Sequence, residues 1–334
     1  MKLREISLND YNLQASLIES DSLITHGCNP SLPGIIEKSF GFRARFFEVK
    51  KDEQTIALIA GNQIGKKFVS LPHFSYGNIR INKDFYSLNE EIFQLMQKEV
   101  GFTEFRDVIA YSENVYSEKN VSWLRLDCDP TLQWNQFKQD LTRKIKKAQL
   151  SDLEIVVFEQ NHPKIRRNKL LEDFFLVYRK NMKRLGSPHL PLQFFNHLFD
   201  EYQFGIIYGV VLYHDGLPVG GAINTSYDDF VENNWFATDW DYNSRYTSYL
   251  LNWVLIQEAL RHKFLLYSFG RSTIGSGVHK YKKQWGAFDV PLQWSYPGKP
   301  GQNPRSIPNL SWLWKILPSF FTNFAGPIIA KRIY

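Results

Sequence analysis

The sequence predicts an α/β (α+β) fold in which one mixed unit of strands and helices occurs twice. Three observations carry that expectation. Short apolar runs of strand length alternate with longer stretches whose apolar residues recur every three or four positions. The second half reads strand, two helices, three strands joined by tight turns, helix, strand, a loop or helix, and a last strand. The first half follows a similar, fainter order without detectable sequence repetition. The expected division is 1–150, 151–300 and a tail at 301–334, which a chain of 334 residues accommodates.

Ser7-Leu8-Asn9-Asp10 starts a helix carried by Leu13, Leu17 and Ile18. A second helical pattern covers 30–40. Residues 43–50 and 55–60 flank Lys51-Asp52-Glu53 as a hairpin, and 67–71 is a third short strand. The aromatic loop Pro72 to Asn78 needs Gly77 for its turn. A helix over 88–100 and strands near 108–111 and 121–127 come next. Asp129-Pro130 opens a helix to about residue 150 with Trp134, Phe137, Leu141, Ile145 and Ala148 on its apolar face. Its other faces hold Lys138, Arg143, Lys144, Lys146 and Lys147, either a solvated face or a site for an anion.

Residues 154–158 form a strand. The helix over 164–185 has Leu170, Phe174, Val177, Tyr178 and Met182 as its stripe and stops at Gly186-Ser187-Pro188. A helix over 192–202 leads to strands at 204–213, 217–226 and 230–237. Their turns are His214-Asp215-Gly216 and Tyr227-Asp228-Asp229. A helix over 244–262, a strand over 264–269 and a last strand over 290–296 complete the unit.

Composition narrows the function. The 26 Phe, 17 Tyr and 9 Trp foretell ring-rich cores or a ring-lined groove. The net charge of +6 favours anionic partners: phosphorylated donors, nucleic acid or an acidic membrane surface. Only 2 Cys, Cys28 and Cys128, argue against a disulfide framework or a zinc site and for a reducing, cytoplasmic setting. The N-terminus lacks the apolar core of a signal peptide, and no apolar run of about 18 residues predicts a membrane span.

The stretch from Tyr267 to Ala287 carries the chemistry. Gly270 is expected to end a buried strand, with Arg271 and Ser272 on the turn and Gly275 and Gly277 in the next loop. Lys280, Lys282 and Lys283 come after them, interleaved with Tyr281 and Trp285. Such a strand end suits an anion, because α/β folds bind ligands at strand-end loops. A solvated basic loop with docked rings is the other reading. Elsewhere, Gly61 to Lys67 is one residue short of a phosphate loop and lacks its hydroxyl, and no Gly-x-Ser-x-Gly elbow exists. His197 with Asp200 and Glu201 is no metal signature, so no metal is expected, and Cys28 near His26 lacks a supporting pattern for a nucleophile.

Phe269-Gly270-Arg271-Ser272, Gly277 and Tyr281-Lys282-Lys283-Gln284-Trp285-Gly286 resemble the signature of FemAB-type transferases. The similarity is to the branch with a BioF-like acetyltransferase domain and the FemAB-like proteins associated with exosortase (PEP-CTERM) systems. Ser70-Leu71-Pro72 with Tyr76-Gly77, Arg143-Lys144, Asn181-Met182, Pro218 to Gly221 and Trp314 to Pro318 resemble it too. The resemblance implies a tandem GNAT-like fold and transfer of an acyl or aminoacyl group to an amine on a cell-envelope, exopolysaccharide or peptide-precursor acceptor. It implies an acyl-CoA or aminoacyl-tRNA donor and no permanently bound cofactor. Residues 241–246 carry no glycine where acyl-CoA enzymes of this class have a glycine-rich pyrophosphate loop, so both donors stay open.

Under this reading Lys282 or Lys283 stabilises an oxyanion or clamps a phosphate, and Arg271 positions a phosphate or carboxylate. Asp239 is the base or a helix cap. Trp235, Tyr246 and Trp285 line a groove or fill the core, and Tyr76, Ser272 and Tyr281 join them as substrate-binding candidates. The aromatic and basic tail either packs on the second unit or meets an anionic membrane. The rival from another class is a non-catalytic RNA- or polyanion-binding protein using the basic helix at 143–147, or a degenerate transferase serving as an assembly partner.

Overall fold

The computed structural model describes residues 1–18, 24–298 and 308–333, so the first residues of the expected tail at 301–334 lie outside the described residues. The chain begins with β1 (Lys2–Ile6) and α1 (Leu8–Ala15), where Ser7 Oγ accepts the Asp10 N–H as an N-cap. α2 (Leu32–Phe40) ends at Gly41, φ 71°. β2 (Arg43–Lys51) and β3 (Gln54–Ile64) form the expected hairpin. β4 (Lys67–Val69), β5 (Asn78–Ile81), α3 (Asn89–Val100), β6 (Phe102–Asp107) and β7 (Val115–Tyr116) continue the first sheet and its helix. The strand expected near 108–111 therefore lies earlier.

Then come β8 (Lys119–Arg125), α4 (Pro130–Asn135), α5 (Gln139–Gln149) and β9 (Glu154–Glu159). The single helix expected over 130–150 is two, because Lys138 is extended at φ −61° and ψ 145°. α6 (Lys164–Leu185) stops at Gly186, which takes the left-handed conformation. α7 (Leu192–Glu201), β10 (Ile207–His214), β11 (Leu217–Tyr227), β12 (Phe230–Thr238), α8 (Thr247–Arg261) and β13 (Leu266–Thr273) match the expected order. Next are α9 (Gly277–Lys283), β14 (Phe288–Pro291), β15 (Gln293–Ser295), α10 (Pro308–Ile316) and α11 (Ser319–Ala330).

The strands form two sheets. One has the order β1-β2-β3-β4-β6-β15-β7 with β5 also on β3, and the other β14-β8-β13-β12-β11-β10-β9. Each contains one parallel pair spanned by a helix: β4 with β6 across α3, and β12 with β13 across α8. That repeated device is the doubled unit expected from sequence.

The sheets exchange strands across the expected boundary at 150. β8 precedes that boundary yet pairs in the second sheet with β13 and β14. The strand expected over 290–296 splits at Leu292: Val290 pairs with Val121 in the second sheet, and Trp294 with Arg106 in the first. A core of Tyr76, Trp123, Phe230, Leu266, Leu292 and Trp294 fills the space between. The two outer faces of the second sheet bury α6 and α7 on one side and α5 and α8 on the other.

Candidate functional site

β12 and β13 pair over Phe230↔Leu266, Val231↔Tyr267 and Glu232↔Ser268, and then part. Beyond that point β12 stays with β11 and β13 with β8. Gly270 sits at the divergence with φ 71°, and a Cβ there would lie 2.9 Å from the Asn233 carbonyl. The β13–β8 register also shifts between Ser268 and Arg271. A parallel pair that opens in this way needs other partners for its inner backbone groups.

Lys282 supplies two of them. Its Nζ donates to Gly270 O at 2.7 Å and Arg271 O at 2.9 Å. The side chain is 7% exposed. Burial lowers its ammonium to about 7, opposed by the nearby Glu232 charge. The expectation of an open, anion-gripping cleft at Lys282 is therefore corrected. The strand runs through Gly270, the stretch after it is α9 capped by Ser276, and this lysine turns inward to tie the bulged strand.

Glu232 is the second buried charge, and burial raises its carboxyl to about 7. Ser268 Oγ donates to Glu232 Oε2 at 2.7 Å and accepts the Gly270 N–H at 3.1 Å. Tyr76 OH lies 3.2 Å from Ser268 Oγ and accepts from Trp123 Nε1 at 2.8 Å. With the Ser268 proton committed to Glu232, Tyr76 is the donor to Ser268. A run of donors from Trp123 through Tyr76 and Ser268 thus points at the carboxylate.

On the other oxygen, Asn234 Nδ2 donates to Glu232 Oε1 at 3.2 Å and to His26 Nε2 at 3.0 Å. Asn234 Oδ1 accepts from Thr225 N and Oγ1, which fixes that amide orientation. His26 consequently carries its proton on Nδ1. It stays neutral because burial lowers its pKa to about 3. Cys28 is buried and its thiol is pushed up by burial, both of which argue against a Cys28–His26 nucleophile.

The accessible charges lie past the outer end of β13, on α9 and β14. Lys283 is half-exposed and pairs with Asp289 at 3.3 Å. His279 Nδ1 accepts the Gly275 N–H, so Nε2 donates to Asp289 Oδ2 at 2.9 Å. Ser272 Oγ donates to Asn120 Oδ1 at 3.2 Å, and Lys119 Nζ to Thr273 Oγ1 at 3.2 Å. The Arg271 guanidinium stands 5.6 Å from the Trp294 ring centre.

The remaining sequence-predicted residues scatter. Asp239 caps the turn at 240–245 by accepting the Asp241 N–H and holds Lys180 Nζ at 2.6 Å. With Leu176, Val177, Pro218 and Tyr242 it lines a cleft of about 250 Å³. Trp235 packs among Phe74, Phe194 and Phe195, and Trp285 among Phe137, Phe269 and Tyr249, so both are core. Tyr76 is buried inside the network. Tyr281 donates to Ser248 O and accepts from Asn252, while Tyr246 starts α8 at φ 57°. On α5, Arg143 and Lys144 both engage Asp140.

Sequence reasoning missed Glu232, Ser268 and Asn234, and it named His26 only beside Cys28. The signal was there: Glu232-Asn233-Asn234 interrupts a strand flanked by Phe230, Val231 and Trp235. Polar groups in a buried strand need designed partners.

Residues 135–283 match the model of the acetyltransferase (GNAT) domain. Among solved structures, FemX is similar over 89% of this chain and 98% of its own, with 11% identity and a TM-score of 0.61. A tandem GNAT protein from the clavulanic acid biosynthesis pathway is similar over 90% of this chain and 99% of its own, with 10% identity and a TM-score of 0.54. The fold is tandem GNAT-like. L-PGS from Bacillus licheniformis is similar over 97% of this chain and 98% of its own, at 13% identity and a TM-score of 0.56. No curated protein matches the sequence. The GNAT match runs from α5 through the whole of α9, and so contains Lys282 and the divergence of β12 from β13.

Proposed function

We propose that the chain is a FemAB-type N-acyltransferase. It moves an acyl or aminoacyl group from an activated donor, an acyl thioester or an aminoacyl-tRNA, to an amine on a cell-envelope, polysaccharide or peptide-precursor acceptor. The observation that carries this reading is the parted β12–β13 pair with a buried lysine tied into its edge. Diverging strands offer backbone donors and acceptors to an extended, amide-bearing ligand arm, much as a sheet edge pairs with a peptide.

In this reading the acceptor amine attacks the donor carbonyl carbon. A C–N bond forms, the C–O or C–S bond breaks, and the amine proton leaves through water. Lys282 holds the parted strand from within through its bonds to Gly270 O and Arg271 O, and so fixes the shape of the gap. Lys283 and Arg271, nearer the surface, hold the donor's phosphates. Asp239 serves as a cap and cleft wall.

The test is mass spectrometry of acceptor amines after incubation with acyl-CoA and charged-tRNA pools. Transfer from one donor class that fails in Lys282→Met, with the folded state preserved, supports the reading. No product from either class ends it.

A further inference from the structure

We propose that the consecutive helices α10 and α11 form a docking surface for an anionic lipid bilayer. This stands independently of the transfer reaction. The two helices are two-faced. Their inner face packs on α6 and on the loop at 186–191: Trp314, Thr322, Gly326 and Ala330 are buried. The fit is close, since a Cβ on Gly326 would sit 2.8 Å from His189 Nε2 and one on Gly186 would run into Ser311 Oγ. Lys183 Nζ donates to Ser319 Oγ at 2.8 Å and pins the start of α11.

The outer face is the reverse of a solvated helix. Trp312 is 65% exposed, Phe320 78% and Phe324 76%, with Ile316, Phe321 and Ile328 exposed beside them. Positions 312 and 316, and 320, 324 and 328, recur every four residues, so each set forms one stripe. A solvated face would carry charges here, and contiguous exposed apolar surface marks an interaction site.

Charge selects the occupant. Residues 308–333 contain Lys315, Lys331 and Arg332 and no Asp or Glu. At the adjoining end of α6, the Arg184 guanidinium lies 4.9 Å from the ring centre of Trp240, itself 61% exposed. Protruding aromatic rings edged by basic side chains suit the headgroup boundary of an acidic bilayer. Among the described residues no helix is long and apolar enough to cross a membrane, and in this proposal the two helices lie in the interface plane.

The test is sedimentation of the full chain with vesicles of phosphatidylcholine, with and without phosphatidylglycerol. The wild type is expected to pellet with the anionic vesicles and to be released by salt. Phe320→Ser with Phe324→Ser, both on exposed positions, should weaken binding by about tenfold or more at an unchanged thermal midpoint. Lys315→Glu should weaken it about fivefold or more on anionic vesicles only. A wild type that stays in the supernatant overturns the proposal. So does a double variant that pellets as the wild type does, or a chain that covers this face by self-association broken by the same double substitution.

Discussion

Replacing Glu232 by Gln should change how stability depends on pH. Burial raises the Glu232 carboxyl from 4.5 to about 7, so the folded chain holds a proton that the unfolded chain has released between those values. Stability from this group is fully present below about pH 4.5 and is lost as pH rises through 7. A shift of about 2.5 units at 1.36 kcal/mol each corresponds to roughly 3 kcal/mol. Lys282 has the opposite sign. Its ammonium falls from 10.5 to about 7, so its contribution is present above 10.5 and lost as pH falls through 7. The contribution of the pair is therefore lowest near neutrality. Urea unfolding across this range reads it directly. The stability difference between Glu232→Gln and the wild type should move in favour of the variant by roughly 3 kcal/mol from pH 4.5 to above 7. A difference that is flat across that window would refute the buried-carboxyl account.

Lys283→Ala breaks an exposed pair with Asp289 and should cost less than about 1 kcal/mol. Steady-state kinetics should show a higher KM for the donor at unchanged kcat, and an unchanged KM would remove Lys283 from phosphate binding. Trp285→Ala empties a fully buried ring site, so thermal unfolding should report a loss of about 3–5 kcal/mol. Asp239→Ala removes a cap and the partner of Lys180, costing about 1 kcal/mol with transfer intact. A collapse of kcat in that variant at native stability would restore Asp239 as the base.

The fold was legible where one local signal dominated. α6 lies over the expected residues because a continuous apolar stripe meets Gly186, whose left-handed conformation stops the helix. The β10–β11 turn formed where Asp215 and Gly216 both take positive φ, at 51° and 73°. The break between α4 and α5 was not legible, since no glycine or proline marks Lys138. Strand exchange was hidden for a different reason. Pairing of β8 with β13 joins residues over a hundred positions apart, and sequence periodicity says nothing about long-range partners.

At the site, sequence drew attention to Lys282 but expected it to grip an anion in an open cleft, because lysine is rarely buried. The two carbonyls that hold it lie where the β13–β8 register shifts around Gly270. Glu232 went unnoticed because only Asn234 is local to it: Ser268, which donates to it, and Tyr76, which lies behind Ser268, come from distant stretches of chain. The tail packs inward through Trp314 as one of its two expected roles required, and it leaves Trp312 exposed.

Amide hydrogen exchange with and without each donor class probes the parted strands most directly. Acyl-CoA or aminoacyl-tRNA should slow exchange at 233–238 and 269–273, the two segments beyond the last β12–β13 pair. Unchanged exchange at both segments with every donor, in a chain that remains folded, would contradict the assignment of the donor to that gap.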